Sequence, residues 1–227
     1  MSEIELPGYL CPPSSQNSNS NSNFTVLIER NETRAPTNAP TPSPRSYVNE
    51  VMKVDSILTD PFELKQIGGE SPDNEGANKA IDGTSDKYLV FIRNEDRNYD
   101  NPNGHPGLDV IPGQSSCTIA QGIVVYVAND STERDPTRYV IMGRQHKTDN
   151  YELISEGDLN LPLPRNNVGW EIHGQMQFQS VTFPNTKSYY QYRIYFPSNR
   201  GNVDIFQVGE VLIPGYLCPE GDNMTLP

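Results

Sequence analysis

The chain has 227 residues and carries 29 Asp and Glu against 17 Lys and Arg, a formal charge of −12. It therefore offers no basic face for nucleic acid, while its acidity suits solubility or the coordination of hard cations by carboxylates. No run of about eighteen apolar residues is present, so no membrane span is expected, and Met1-Ser-Glu-Ile-Glu-Leu6 has neither the basic nor the apolar region of a secretion signal.

Twenty prolines, seventeen glycines and twelve tyrosines, with no long helical period of apolar residues, predict an all-β chain of short strands and many turns, long enough to bury a full core. Its first feature is a repeat. Ser2-Glu-Ile-Glu-Leu-Pro-Gly-Tyr-Leu-Cys-Pro12 returns as Gly209-Glu-Val-Leu-Ile-Pro-Gly-Tyr-Leu-Cys-Pro219, identical at Glu, Pro, Gly, Tyr, Leu, Cys and Pro. This reads as one unit of a tandem array, with residues 1–11 the tail of a preceding unit and 218–227 the start of a following linker, so that adjacent copies are expected partners. The odd count of three cysteines then resolves: Cys11 goes with the previous unit, leaving Cys117 and Cys218 as the candidate disulfide. Three reduced thiols in a cytosolic protein are the alternative.

Residues 12–45 read as a low-complexity linker, Ser/Asn-rich and then Pro/Thr/Ser-rich, extended and open to O-glycosylation. Within it, Phe24–Glu29 is either an added strand or the end of the linker. Asn23, Asn31, Asn129 and Asn223 fit the N-glycosylation pattern, which leans toward a glycoprotein with an extracellular or cell-surface life. From residue 46 to 217 the chain shows short β-rich runs at 47–54, 88–93, 119–128, 139–143, 151–154, 175–183, 189–196 and 205–213, separated by Gly, Pro, Asn and Asp clusters. In 189–196, Tyr190, Tyr192, Ile194 and Phe196 alternate with Tyr189, Gln191, Arg193 and Tyr195, giving an apolar face and an amphipathic one. Between Phe178 and Val181 the apolar parity shifts, which predicts a bulge.

Ile123–Ala128 is an unbroken apolar run, a core strand, and it delivers a charged loop containing Arg134 and Asp135. These two are expected to brace the corner after the strand. Glu210 shares parity with Phe206, Val208 and Leu212, which places a carboxylate among core-facing side chains unless a bulge intervenes. Such a group needs a cation or several donors. Pairing with Arg134 or Lys87 is one reading, and service as an oxygen ligand for Ca²⁺ is the other. Asp82-Gly83 followed by Thr84, Ser85 and Asp86 gathers hard oxygen donors in a tight turn, though a lone Asp-Gly is also an ordinary turn.

The order Ala80-Ile-Asp-Gly-Thr-Ser-Asp-Lys-Tyr-Leu-Val-Phe91, Val127-Ala-Asn-Asp-Ser-Thr-Glu-Arg-Asp-Pro136, Leu161-Pro-Leu-Pro-Arg-Asn166, Tyr192-Arg-Ile-Tyr-Phe196 and Gln207-Val-Gly-Glu-Val-Leu212 resembles the discoidin or coagulation-factor type C superfamily of galactose-binding-like domains, which includes many carbohydrate-binding modules. The resemblance covers about residues 47–216. It implies a jelly-roll β-sandwich with one structural Ca²⁺, held by the Ala80 carbonyl, the Asp82 carboxylate, the segment Thr84 to Asp86 and the Glu210 carboxylate. Asp86 stands where a Thr is usual. Ligand positions in this superfamily do not transfer, so the sugar site is sought from residue chemistry: stacking aromatics with planar donors, here Tyr99, His105, Arg165, Trp170 and His173. Trp170 suits core packing equally, and each His alone also reads as a solvated loop residue.

The chain has no Gly-x-Ser-x-Gly, His-Glu-x-x-His, phosphate loop or zinc-spaced cysteine pair, and no enzyme is expected. The sequence reading is a non-catalytic, calcium-stabilised module that binds glycans or glycoproteins in adhesion, within a tandem extracellular protein. A structural matrix or cell-wall repeat, or an accessory domain of a larger secreted enzyme, are the alternatives.

Overall fold

The computed structural model describes residues 52–92, 104–115, 117–162, 171–172 and 175–218. Compactness divides the chain into two units, Met1–Ser46 and Tyr47–Pro227. Everything described belongs to the second. The expected linker, Phe24–Glu29 and the first copy of the repeat lie outside the described residues.

Fifteen strands are described: β1 (Met52–Val54), β2 (Glu63–Ile67), β3 (Tyr88–Phe91), β4 (Gly107–Ile111), β5 (Thr118–Ala120), β6 (Gly122–Tyr126), β7 (Arg138–Arg144), β8 (Glu152–Asp158), β9 (Glu171–Ile172), β10 (Gln175–Met176), β11 (Phe178–Thr182), β12 (Gln191–Tyr195), β13 (Ile205–Val208), β14 (Glu210–Leu212) and β15 (Gly215–Leu217). One layer is a five-stranded antiparallel sheet ordered β2-β4-β12-β7-β8. The shorter ladders β13-β3, β11-β6-β14 and β1-β15-β5 form the remainder of the sandwich, and β9 pairs with β10.

One large core joins the layers, beside a small cluster of Cys117, Ile119 and Cys218. Leu108, Val110, Ile141, Tyr192 and Ile194 from the five-stranded sheet meet Tyr88, Val90, Ile123, Val125, Phe206, Val208, Val211 and Ile213. Each fully buried side chain of this size contributes about 1.5–3 kcal/mol relative to exposure. Two tyrosine hydroxyls bridge the layers at 3.0 Å and 2.6 Å: Tyr88 donates to the Gly107 carbonyl and Tyr192 to the Thr118 carbonyl. Burial pushes both phenols well above their ordinary range, so they remain neutral donors.

The alternation expected in 189–196 is present from Gln191 to Phe196, where Tyr192, Ile194 and Phe196 are buried in the core and Gln191, Arg193 and Tyr195 face the other way. It reverses ahead of β12, where Tyr189, bridged to Thr118, is buried in the core and Tyr190 is half-buried. Four strands went unanticipated, the two-residue β9 among them. β2 and β4 carry charges in mid-strand, Lys65 and Asp109, which break the apolar alternation, yet β4 is buried along its whole length. β15 follows Pro214 and begins with Gly, which reads as a turn. It lies between β1 and β5 and is tied to the latter by the Cys117–Cys218 disulfide. That bond closes a separation of 101 residues, worth on the order of 4–5 kcal/mol through the unfolded chain.

Two local expectations change. No bulge lies between Phe178 and Val181, because β11 runs in register with β6 from Phe178↔Tyr126 to Thr182↔Gly122. Phe178 instead sits on the outer face, 50% exposed, with its ring centroid 5.1 Å from that of Tyr126. Glu210 was expected on the core face unless a bulge intervened, and a jog does intervene, at Gly209 between β13 and β14. There the backbone passes so close to β6 that a Cβ would stand 2.4 Å from the Val127 carbonyl oxygen. Core parity therefore flips: Phe206 and Val208 face the core before Gly209, and Val211 and Ile213 after it.

Candidate functional site

Because of that jog, Glu210 points away from Val211 and pairs across the ladder with Tyr126. It is nevertheless only 2% exposed. What covers it is the turn that follows the 3-10 segment Ala77–Ala80. Asp82 Oδ1 accepts hydrogen bonds from the Thr84 amide at 3.0 Å and its hydroxyl at 2.6 Å, the self-closing turn that Asp favours. Gly83, at φ 68°, aims its amide at Glu210 Oε2, 3.3 Å away.

Among the described residues that is the one hydrogen bond the Glu210 carboxylate receives. Burial pushes its pKa up to about 8; the Gly83 amide works against this and the Asp82 charge adds to it. Asp82 shows the opposite balance. Burial would raise it, but the Thr84 donors and the Lys79 ammonium hold it below the usual carboxylate range. Lys79 Nζ lies 3.1 Å from Asp82 and 2.6 Å from Asp86, whose side chain is 60% exposed. Beside the turn runs a cleft of about 370 Å³, lined by Ser56, Asp60, Asn78, Asp82, Gly83 and Glu210 among others.

The structure thus brings together Ala80, Asp82, Thr84 and Glu210, 127 residues apart at the Gly83 contact. Asp86 is drawn outward to Lys79. Lys87, an alternative partner for Glu210, instead bridges Asp130 at 2.9 Å and Glu75 at 3.6 Å. Among the described residues no three His, Cys, Asp or Glu side chains converge on one point. The gathered donors are oxygens only, two of them carboxylates, and one of those is buried with a single N–H donor. That set fits a hard cation completed by backbone carbonyls.

A second group of residues forms one end of the sandwich. The Ile92 amide donates to the Asp204 carbonyl at 2.8 Å. Asn199 pins the following turn by donating to the Val203 and Ile205 carbonyls at 2.7 Å and 3.0 Å, and by accepting from the Val203 amide at 2.9 Å. Arg200 donates to the Leu161 carbonyl at 3.0 Å. Ile92, Gly104 and His105 line a small cavity of about 50 Å³ with Phe196, Ser198 and Asn199. Ile92, Gly104 and Leu161 therefore gather around one turn, Asn199–Asp204. Tyr99, Arg165, Trp170 and His173 lie outside the described residues.

His105 does not stand on an exposed loop. It is 5% exposed, with its ring stacked on Tyr195 at 5.5 Å and 9°. Pro106 and β4 follow it at once, which draws it into the wall. No sequence signal marked it as Tyr195's neighbour beyond Tyr195's outward parity.

The corner after β6 turns through Ser131, in the left-handed region at φ 34°, and the 3-10 segment Thr132–Arg134. Asp135 is fully buried, and the guanidinium set against it is that of Arg200, 3.7 Å away. The Arg200 amide also donates to the Asp135 carbonyl at 2.9 Å. Arg134 acts on the neighbouring Asp130, adding to the lowering of its pKa by Lys87 and Gln207 against the effect of burial. The corner is braced, but through a residue 65 positions downstream that nothing in the local sequence indicated.

No family model matches the chain, and no curated protein matches it. Solved structures do. The CBM32-1 and CBM32-2 domains of Clostridium perfringens ZmpB in complex with GalNAc match with TM-score 0.50 at 13% identity, covering 77% of this chain and 36% of that one. A structure of the same two domains with the M60 catalytic domain matches with TM-score 0.50 at 16% identity, covering 74% and 15%. The family 32 carbohydrate-binding module of C. perfringens NanJ in complex with galactose gives TM-score 0.46 at 16% identity, covering 71% and 98%. At these identities the likeness is one of fold alone, a jelly-roll β-sandwich.

Proposed function

We propose that the chain is a non-catalytic carbohydrate-binding module, calcium-stabilised, that acts outside the cell within an array of similar units. The observation that carries the sugar reading is the fold likeness to modules solved with GalNAc. The pinned Asn199–Asp204 turn supports it, because Ile92, Gly104 and Leu161, close in sequence to Tyr99, Arg165 and Trp170, gather around it. Aromatic faces stack on sugar C–H groups, and guanidinium, imidazole and amide donors fix the hydroxyls. His105, held by its stack on Tyr195, would serve from beside that turn.

Calcium is supported by Glu210. Ala80 through its carbonyl, Asp82 and Glu210 through carboxylates, and Thr84 to Asp86 would hold the ion. When bound it supplies the positive charge that lets Glu210 ionise in burial. Lys79 meanwhile neutralises Asp82 and Asp86 from outside the turn. The disulfide suits an oxidising compartment. The exposed sequon Asn129-Asp-Ser131 is open to glycosylation.

A glycan array with and without chelator tests the proposal. The expected result is binding to galactose-type glycans, with a melting temperature that falls in chelator. No glycan signal in calcium removes the sugar reading, and a chelator-insensitive melt removes the metal reading. An accessory role beside a catalytic domain is the second reading, supported by the structural neighbour that joins such modules to an M60 domain. Calcium-sensitive melting without glycan binding would favour a matrix or cell-wall repeat.

A further inference from the structure

The outer face of the five-stranded sheet shows how this fold holds a guanidinium. Arg193 forks onto Asp109 of the neighbouring strand and lies 4.5 Å from the centre of the Tyr151 ring, so one carboxylate and one aromatic face share a cation. A guanidinium suits that place because it is planar and weakly hydrated. It stacks on a ring and still directs N–H groups at a carboxylate.

The outer face of the β11-β6-β14 ladder carries the same two components. Phe178 stands opposite Tyr126 and Tyr126 opposite Glu210, so the three share one row on one face. Phe178 is 50% exposed, and its ring is tilted at 43° to that of the half-buried Tyr126, 5.1 Å away. Burial pushes the Tyr126 phenol up, and the charges of Glu210 and Asp55 add to this, so both carboxylates lie near that ring. Asp55 directly follows β1 and is exposed. It stands outside the set of residues that would hold calcium.

What the second face lacks is the cation. Among the described residues, cations lie over the rings of Tyr151 and Tyr189 and not over Tyr126 or Phe178. Lys79 is paired with Asp82 and Asp86, and neither Asp55 nor Glu210 forms an ion pair. A single exposed apolar side chain calls for no explanation. Two adjoining rings open to water beside an unpaired acid are a different matter, because aromatic face and negative charge together select an organic cation. The formal charge of −12 draws such a partner in.

We propose that the Phe178–Tyr126 face is a docking site for an arginine side chain of a partner protein, whose guanidinium stacks on the ring pair and directs its N–H groups at Asp55. The site is separate from the Asn199–Asp204 end and goes beyond the sugar and calcium readings.

The test is titration of the full chain, in chelator, with the blocked tripeptide alanine-arginine-alanine, followed by NMR of the Phe178 and Tyr126 rings. Both rings should shift to saturation. The citrulline tripeptide, alike in shape but uncharged, should leave them unmoved, and the lysine tripeptide should bind about two- to fivefold more weakly, since its compact ammonium stacks less well. Phe178→Leu should weaken arginine binding about two- to fivefold and leave the melting temperature within about 2 °C, because the ring is half exposed. Asp55→Asn, which touches neither ring, should weaken it comparably. Unmoved rings, equal binding of citrulline or of lysine, or wild-type affinity in both variants would each overturn the proposal. So would a stronger response to glucosamine, which would make the face a site for aminated sugars. A failed array of galactose-type glycans, or a chelator-insensitive melt, leaves all of these results standing.

Discussion

Among the described residues two carboxylates are buried within strands, and their surroundings differ. Asp109, in β4, is 8% exposed, and Glu210, in β14, is 2% exposed. Asp109 receives both prongs of the Arg193 guanidinium, Nε at 2.6 Å and Nη2 at 2.7 Å, from the adjacent strand β12. Arg193 also lies 4.5 Å from the Tyr151 ring centre, and Arg144 covers the same ring at 4.6 Å while bonding Gln191. Glu210 has the Gly83 amide at 3.3 Å and a like charge nearby. The first carboxylate is answered by its own fold. The second is answered only in part, and that contrast separates a structural charge from one suited to an added ion.

Breaking the answered pair should have the largest effect. Arg193→Met leaves Asp109 buried without its fork and should cost about 3–5 kcal/mol, read by denaturant unfolding. Calcium should not restore it. An undiminished midpoint would show that the sheet face carries Asp109 without help.

Glu210→Gln should do the reverse. In chelator the variant should be at least as stable as wild type, since a neutral amide replaces a carboxyl that already favours neutrality. In calcium the wild type should gain about 2–3 kcal/mol at a hundredfold excess of ion over its dissociation constant, and the variant should gain none. Equal calcium responses would remove Glu210 from the site.

The same carboxylate should give pH dependence. Its folded pKa of about 8 lies above the ordinary value of 4.5. The fold therefore favours the protonated form, and that stabilisation is full below about 4.5 and lost as pH rises through about 8. In chelator, wild-type melting should decline across that window relative to Glu210→Gln. In calcium, which favours the ionised form, the decline should flatten.

The smallest effect is expected at Lys79. Removing its ammonium from Asp82 and Asp86 with Lys79→Gln should tighten calcium binding about two- to fivefold by calorimetry, since one competing cation is gone. Weaker binding would make Lys79 a support of the turn instead.

Glu210 also shows how far the sequence reached. Its burial was legible, but the parity argument put it on the core face, whereas Gly209 turns it to the opposite side and the Asp82 turn buries it there. A jog set by one backbone approach leaves no periodic trace. Asp109 was not seen, because an acid in mid-strand reads as a turn until its arginine, 84 residues away, is placed beside it. The disulfide was legible because the repeat removed Cys11 from the count. Arg200 behind Asp135 and Tyr195 beneath His105 are long-range pairings, and local spacing carries no information about either.

The Cys117–Cys218 bond has a mechanical consequence. Antiparallel β1 and β15 place Met52 beside Leu217, so a pull applied through these two ends peels β1 from β15 one ladder bond at a time, a low-force geometry. Once β1 has parted, the load at Cys218 passes directly to Cys117, and the 101-residue span between them is bypassed. Only residues 52–116 can then lengthen, by roughly 3.5 Å each, or about 230 Å, while the strands behind the bond, β5 through β15, stay out of the line of tension. Stretched from its ends, the sandwich should behave as a short spring in series with a covalently locked body.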